Sequence, residues 1–407
     1  MPSVTPTKPA SAPTTTTGAG ADSMARMRRA SAGVVVAVAL GALFVAVAGA
    51  RPGPAAPRAD RALRRALSGL VHAKGGPVGA IAVVQRGSKT QTYSSGSSRV
   101  GGRRPIPRDA MRLASTSKAF NGAVALALVS RRVLSLNDTI GKLLPKLPRA
   151  WGRVTLREAL QHTSGLPNFT ESPSYLKALE KSPAHGPKPR QLLRYVEKQP
   201  LHFKPGSRYR YSNTDNVIAG LMVEHVTGHS YEHELRTLVL RPVGLRHTAL
   251  PSSVAMPRPL FHGYQLAAGK WQDLSTVISP AWTWAAGGMI STPADLNRFA
   301  RAYIGGRLFS GRVRKAQLRT VAGASEPPGP GTNSAGLAVF RYRTRCGTVY
   351  GHTGNFPGYT QFFAATLNGQ RSVTVSINEQ LSPIRHARVF KILRRVDAIA
   401  VCAALAH

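Results

Sequence analysis

The spacing of apolar residues changes several times along the chain, and each change marks a different element. From Asp60 to Ala73, Leu63, Leu67, Leu70 and Val71 recur at helical spacing while Arg61, Arg64 and Arg65 fall mostly on the other side, which predicts a surface helix. Val78–Gln85 and Lys89–Gly96 are β-rich runs on either side of Arg86-Gly87-Ser88 and read as a hairpin. Gly351–Gly369 and Arg371–Ile377 read as further strands. The last helix, over Ser382–Ala404, gathers Val389, Ile392, Leu393, Val396, Ala400 and Ala403 on one face and solvates Arg388, Lys391 and Arg395 on another. Between these ends, Lys204-Pro205-Gly206, Thr227-Gly228 and Pro242-Val243-Gly244 punctuate apolar periodic runs. Thr292-Pro293-Ala294-Asp295 opens a capped helix that stops at Gly305-Gly306. Strands at both ends of a helical middle predict an α+β fold. Its antiparallel sheet is built from both chain ends and flanked by the terminal helices, with a mostly helical insertion over residues 130–285.

The first fifty residues break this pattern. Residues 2–23 are rich in Pro, Thr, Ala and Ser and cannot bury enough apolar surface to repay ordering, so they read as disorder, or as text upstream of a true start at Met24. Arg26, Arg28 and Arg29 then precede an uncharged run, Ala32–Ala50, that ends in Ala48-Gly49-Ala50 and is followed by Arg51-Pro52. This is the order of an export signal over residues 24–50, cleaved after Ala50; an uncleaved run of this length would also serve as a membrane anchor. Either way residues 51–59 form a linker and the domain at 60–407 is expected outside the cytoplasm or at the cell envelope.

Charge adds a partner and cysteine a bond. The chain carries 55 Lys+Arg against 17 Asp+Glu, a formal +38, and residues 51–407 keep +35 of it. Such a surface suits an anionic neighbour such as a cell-wall polymer. The basic residues are spread out and not interleaved with aromatics in one run, which argues against nucleic acid. Cys346 and Cys402 are the two cysteines, and in an oxidising compartment they are expected to pair, two buried thiols being the alternative.

Ser115-Thr116-Ser117-Lys118 precedes the apolar run Ala119–Val129, so a helix would bring the Lys118 ammonium over the Ser115 hydroxyl. Burial would lower the lysine toward a working base, and free helix-terminal amides would steady an oxyanion. Ser174 and Lys177 share this spacing, so the pair alone decides nothing. Tyr211-Ser212-Asn213 follows, with a phenol that needs a nearby cation such as Lys118 to act as a base and an amide able to hold Lys118 and a substrate amide together. His352-Thr353-Gly354 lies in a strand-like run whose alternation puts His352 and Gly354 on one face and Thr353 on the other. His225, His229 and His233 recur every fourth residue beside acids, but Gly228 should end their helix, so no metal is expected there and no cofactor anywhere. His162 reads as a structural residue of a helix-ending turn.

Ser-x-x-Lys, Tyr-x-Asn and His-Thr-Gly in this order resemble the serine β-lactamase and penicillin-binding superfamily, in the version of class C β-lactamases and, through its histidine, of soluble secreted D-alanyl-D-alanine carboxypeptidases. Leu156–Leu166 and Ala286-Gly287-Gly288-Met289 extend the match, which spans about Arg61–Ala404. The resemblance implies that Ser115 is acylated, that Lys118 and Tyr211 move its proton and that the amides of Ser115 and Asn355 hold the oxyanion. It further implies that Asn213, His352, Thr353 and Gly354 frame the substrate, with Thr353 and Arg341 on its terminal carboxylate. It sets Ser174 aside and brings Cys346 within reach of Cys402. The function expected is a monomeric exported D-alanyl-D-alanine carboxypeptidase acting on peptidoglycan peptides or β-lactams. An esterase or β-lactamase with the same nucleophile, or a non-catalytic wall-binding protein, is the alternative. A neutral imidazole at His352 in place of a lysine suggests activity that changes with pH between 5 and 8.

Overall fold

A computed structural model describes residues 55–407; the segments 1–23 and 24–50 singled out above lie outside the described residues. The chain forms helices α1 (Ala55–Val71), α2 (Ser117–Ser130), α3 (Ile140–Leu143), α4 (Leu156–Gln161), α5 (Pro173–Lys181) and α6 (Asn213–Thr227). Then come α7 (Tyr231–Leu235), α8 (Arg241–Val243), α9 (Pro293–Ile304), α10 (Gly311–Gln317) and α11 (Ala387–Leu405). The strands are β1 (Gly79–Arg86), β2 (Lys89–Gly96), β3 (Met111–Arg112), β4 (Tyr264–Ala267), β5 (Lys270–Asp273) and β6 (Ile290–Ser291). The C-terminal part supplies β7 (Val321–Ala322), β8 (Thr332–Ala335), β9 (Phe340–Thr344), β10 (Gly347–Phe356), β11 (Tyr359–Ala365) and β12 (Arg371–Ile377).

Eight of these strands make one antiparallel sheet in the order β2-β1-β12-β11-β10-β9-β8-β7. The α+β fold and the sheet assembled from both ends are therefore as expected, with β1 joined to β12 in the register Ala82 opposite Val375. Gly87, in its left-handed conformation, turns the β1–β2 hairpin. The predicted first helix starts earlier, inside the expected linker, because Pro57 falls in the first turn, where no backbone partner is lost. The last helix starts later than Ser382 because the Ser382 hydroxyl takes the amides of Ile384 and Arg385 into a turn.

Both faces of the sheet are covered, so its central strands are apolar on both sides. On the outer face, Ala82, Val84, Phe362, Val373 and Val375 pack under Leu63 and Leu67 of α1 and Leu393, Val396 and Ala400 of α11. On the inner face, Ile81 and Phe363 meet the helical part through Phe299 and Tyr303 of α9. Asn297 fixes α9 to the sheet by donating to the Val83 carbonyl and accepting from Ser372. Helix α2 then packs on α9, with the Phe120 and Phe299 rings stacked at 3.6 Å, and its residues from Ser117 to Leu128 are all buried. That burial explains its apolar run Ala123–Leu128. The Cys346–Cys402 disulfide forms as expected and links the β9–β10 turn to α11. Among the described residues no helix is long and apolar enough to cross a membrane.

Candidate active site

The chain enters α2 through a strained step. Ala114 adopts φ +53°, a left-handed conformation that costs an alanine roughly 1–2 kcal/mol, and a single 3-10 turn, Ala114–Thr116, follows. Ser115 thus sits in that turn, just ahead of the α-helix, while Lys118 is the second residue of α2. The Thr116 hydroxyl closes the turn by donating to the Leu113 carbonyl at 2.7 Å. Strand β10 supports it from the other side. An added Cβ at Gly354 would lie 2.6 Å from the Leu113 oxygen and 3.0 Å from the Ser115 nitrogen, so only glycine lets the strand approach this closely.

Lys118 is fully buried and donates to Ser115 Oγ at 3.1 Å, Asn213 Oδ1 at 2.6 Å and the Ala286 carbonyl at 2.6 Å. Burial holds its pKa down to about 7, against the opposing pull of Glu326 and then Asp215. A large fraction of Lys118 is therefore a free amine at neutral pH, hydrogen-bonded to an alcohol. Ala286 reaches it because Trp284, at φ +39°, reverses the chain just before.

Tyr211 stands beside this pair, its ring centroid 5.0 Å from Lys118 Nζ and 4.4 Å from the ring of His162. Burial raises the phenol well above its ordinary value, and the neighbouring Ser115 only partly offsets this. The expected cation is present, but burial outweighs it, so Tyr211 keeps its proton at rest. His162 is structural, as expected: it ends α4 in the left-handed conformation and its Nδ1 lies 2.8 Å from Asp215 Oδ2. Burial drives His162 down to about 3 and Asp215 upward, so both favour their neutral forms.

Asn213 opens α6 and orients Lys118, but its amide hydrogens already have partners in Thr170 Oγ1 at 2.8 Å and Asn168 Oδ1 at 3.2 Å. Asn168 and Thr170 thereby fix the orientation in which the Asn213 oxygen meets Lys118. Asn168, Thr170 and the Ala286 carbonyl went unrecognised in the sequence as parts of the site, although each lies in or next to text that matched the family.

The third motif alternates as predicted. His352 shares the inner face with Phe363, and Thr353 the outer face with Phe362. His352 is fully buried, edge-on to Phe340 at 4.9 Å, with Nδ1 2.5 Å from the Thr353 carbonyl; burial lowers its pKa to about 3. The expected titration of this residue between pH 5 and 8 is thereby corrected: His352 stays neutral across that range. The Thr353 hydroxyl donates to the Pro327 carbonyl at 2.5 Å. Asn355 Nδ2 donates to the Leu381 carbonyl, which fixes the end of β10.

Arg341 lies elsewhere. The β9–β10 register sets it opposite Tyr350, three residues before Thr353, where it donates to Ser334 Oγ and lines a surface cavity with Arg343 and Thr348. This corrects its assignment to the substrate carboxylate. Ser174 and Lys177 are exposed on α5, far from the burial their chemistry would need. Gly228 ends α6 and leaves His225 behind, but it brings ligand atoms of His229, His233 and Glu234 within 4.8 Å of one another.

The chain is similar in sequence and fold to known proteins. The family profile described as Beta-lactamase matches residues 63–394. Penicillin-binding protein 4* of Bacillus subtilis is 23% identical over 324 residues, 74% of this chain and 68% of that one. Protein flp of Staphylococcus aureus is 25% identical over 199 residues, 48% of this chain but only 39% of its own length. Among solved structures, a D-stereospecific amidohydrolase from Streptomyces sp. is 30% identical with a TM-score of 0.71, covering 79% of this chain and 94% of that one. The D-amino acid amidase of Ochrobactrum anthropi shares the fold at 24% identity and a TM-score of 0.73, covering 83% and 97%. With a family match that extends from the first helix to the last, this chain belongs to the β-lactamase family of serine hydrolases, the superfamily of the penicillin-binding proteins.

Proposed function

We propose that the protein hydrolyses amide bonds of D-amino-acid substrates through an acyl-enzyme on Ser115. The observation that carries this reading is the buried Lys118, 3.1 Å from Ser115 Oγ with a pKa of about 7. Neutral Lys118 takes the Ser115 proton as Oγ attacks the carbonyl. The oxyanion rests on the amides of Ser115 and Asn355. Tyr211 donates its hydroxyl proton to the leaving nitrogen and is restored from Lys118, and water then releases the acyl group by the reverse route. A D-configured substrate is supported by the likeness to the D-stereospecific amidohydrolase from Streptomyces sp..

D-alanyl-D-alanine carboxypeptidase activity is the second reading, favoured by the His-Thr-Gly motif and the penicillin-binding relative. It needs a grip on a terminal carboxylate. Neutral His352, a Thr353 hydroxyl committed to Pro327 and an Arg341 held by Ser334 supply no cation beside the third motif. The export segment at 24–50, and with it an envelope location next to anionic polymers, is part of either reading.

Intact-mass spectrometry of the 51–407 chain and its Ser115→Ala variant tests the proposal, using D-phenylalanine amide, a peptide ending in D-Ala-D-Ala, and a penicillin. Release of ammonia from the amide by the wild type alone, with adducts confined to the chain that keeps Ser115, is the expected result. D-Ala release without amide hydrolysis would give the carboxypeptidase reading precedence, and no adduct with any compound would sink both.

A further inference from the structure

The segment from Gly323 to Pro327 runs between the Tyr-x-Asn and His-Thr-Gly motifs and is fastened at both sides. On one side the Tyr209 hydroxyl donates to the Ala324 carbonyl, and the Tyr209 ring packs against Gly323, where an added Cβ would meet it at 2.6 Å. On the other side Thr353 Oγ1 donates to the Pro327 carbonyl at 2.5 Å. Ser325 Oγ bonds both Tyr342 OH at 3.0 Å and the Pro327 carbonyl at 3.1 Å, which holds the middle. Strand β9 stops pairing with β10 at Gly351, so this strap lies beside the stretch of β10 that carries Thr353 and Gly354.

Glu326 is the charged residue of the strap. It keeps access to solvent and has no ion-pair partner within 4.0 Å among the described residues. It is close enough to act on Lys118 and Tyr211, and Glu171, paired with Arg210 at 3.0 Å, lies within its electrostatic reach. A negative charge on this strap, next to the Pro327 carbonyl that holds Thr353, repels an anionic substrate end and attracts a cationic one.

From this strap and its carboxylate we propose that Glu326 is a specificity-determining residue that favours small acyl substrates carrying a free α-ammonium, as D-aminoacyl amides do, and disfavours substrates ending in a carboxylate. The inference rests on the amidohydrolase reading given above. Enclosure by the surrounding protein, and then Glu171, push the Glu326 carboxyl above the ordinary range. The preference is therefore present when Glu326 is ionised and is lost as the pH falls through its raised value.

The test compares kcat/KM for D-phenylalanine p-nitroanilide with that for its N-acetyl derivative, in the wild type, Glu326→Gln and Glu326→Lys. Glu180→Gln, which removes one charge from an exposed position on α5, controls for bulk charge. The expected result is a wild-type preference for the free amine that falls about tenfold in Glu326→Gln, inverts in Glu326→Lys and is unchanged in Glu180→Gln. Turnover of the anilides with a ratio that Glu326→Gln does not move would overturn the assignment of Glu326 and leave the amidohydrolase reading standing. Absence of both product and a Ser115 adduct with either anilide would overturn the two together.

Discussion

The two faces of the large sheet do different work. Under α1 and α11 the outer face is packed mainly with aliphatic and aromatic side chains and closed by the Cys346–Cys402 bond. Around Ser115 the inner side buries Lys118, His162, Asp215 and His352, and it holds Ala114 and Trp284 in left-handed backbone. Tyr211 OH and His352 Nε2 are left there without partners among the described residues. Each of these choices costs stability. The comparison teaches that the fold gathers its reactive groups around Ser115, while the outer layer keeps one buried carboxyl of its own, Asp397 of α11, whose Oδ1 has no partner among the described residues.

Mutations that separate the two sides should sharpen this contrast. Ser115→Ala is expected to lower kcat/KM by about 10⁴-fold or more while leaving the melting temperature almost unmoved, read by amide turnover and calorimetry. Lys118→Met should cost about 10³-fold in turnover and also change the pH response. In the wild type kcat/KM should rise as the pH passes through about 7 and Lys118 loses its proton. Between that value and the lysine's unfolded pKa of about 10.4 the unfolded chain binds more protons, so stability should rise with pH, and the methionine variant should lack this slope. An unchanged pH profile in a still-active variant would remove Lys118 from the role of base.

Gly354→Ala tests the contact between the sheet and the Ser115 turn directly. The new methyl group would press on the Leu113 carbonyl and the Ser115 nitrogen, and a loss of about 10² in turnover with about 1–3 kcal/mol of stability is expected. The smallest effect on chemistry belongs to the outer face. Replacing Cys346 and Cys402 by serine should lower stability by about 3 kcal/mol in denaturant unfolding, since the bond spans 56 residues, yet leave kcat/KM within about twofold. A large activity loss in that double variant would mean that the two faces are not separable.

Sequence spacing carried much of the fold. The β1–β2 hairpin, the sheet drawn from both ends, the capped helix α9 and the disulfide followed from period, turn residues and compartment. The three motifs were legible because their order is distinctive, and Ser115, Lys118, Tyr211 and Asn213 do come together. What was not legible depends on tertiary surroundings. Arg341 looked suitable until the β9–β10 register turned it toward Ser334. His352 looked like a switch near neutral pH because enclosure against Phe340 has no local sequence signature. Asn168 and Thr170 reach Asn213 from more than forty positions away, and Glu326 belongs to a strap that only its anchors define.

The lean of the Ser115 turn on Gly354 also bears on when the molecule becomes reactive. During synthesis the nucleophile's segment leaves the ribosome long before β10, and β12, which pairs with β1, comes later still. Contacts so distant in the chain form late, after a large loop has closed. The backbone that presents Ser115 can lean on Met289 and β6 earlier, but its contact with Gly354 waits until β10 has been made. A chain that stops before β10 carries the serine and the lysine without that last support, so this connectivity ties completion of the reactive geometry to the C-terminal strands.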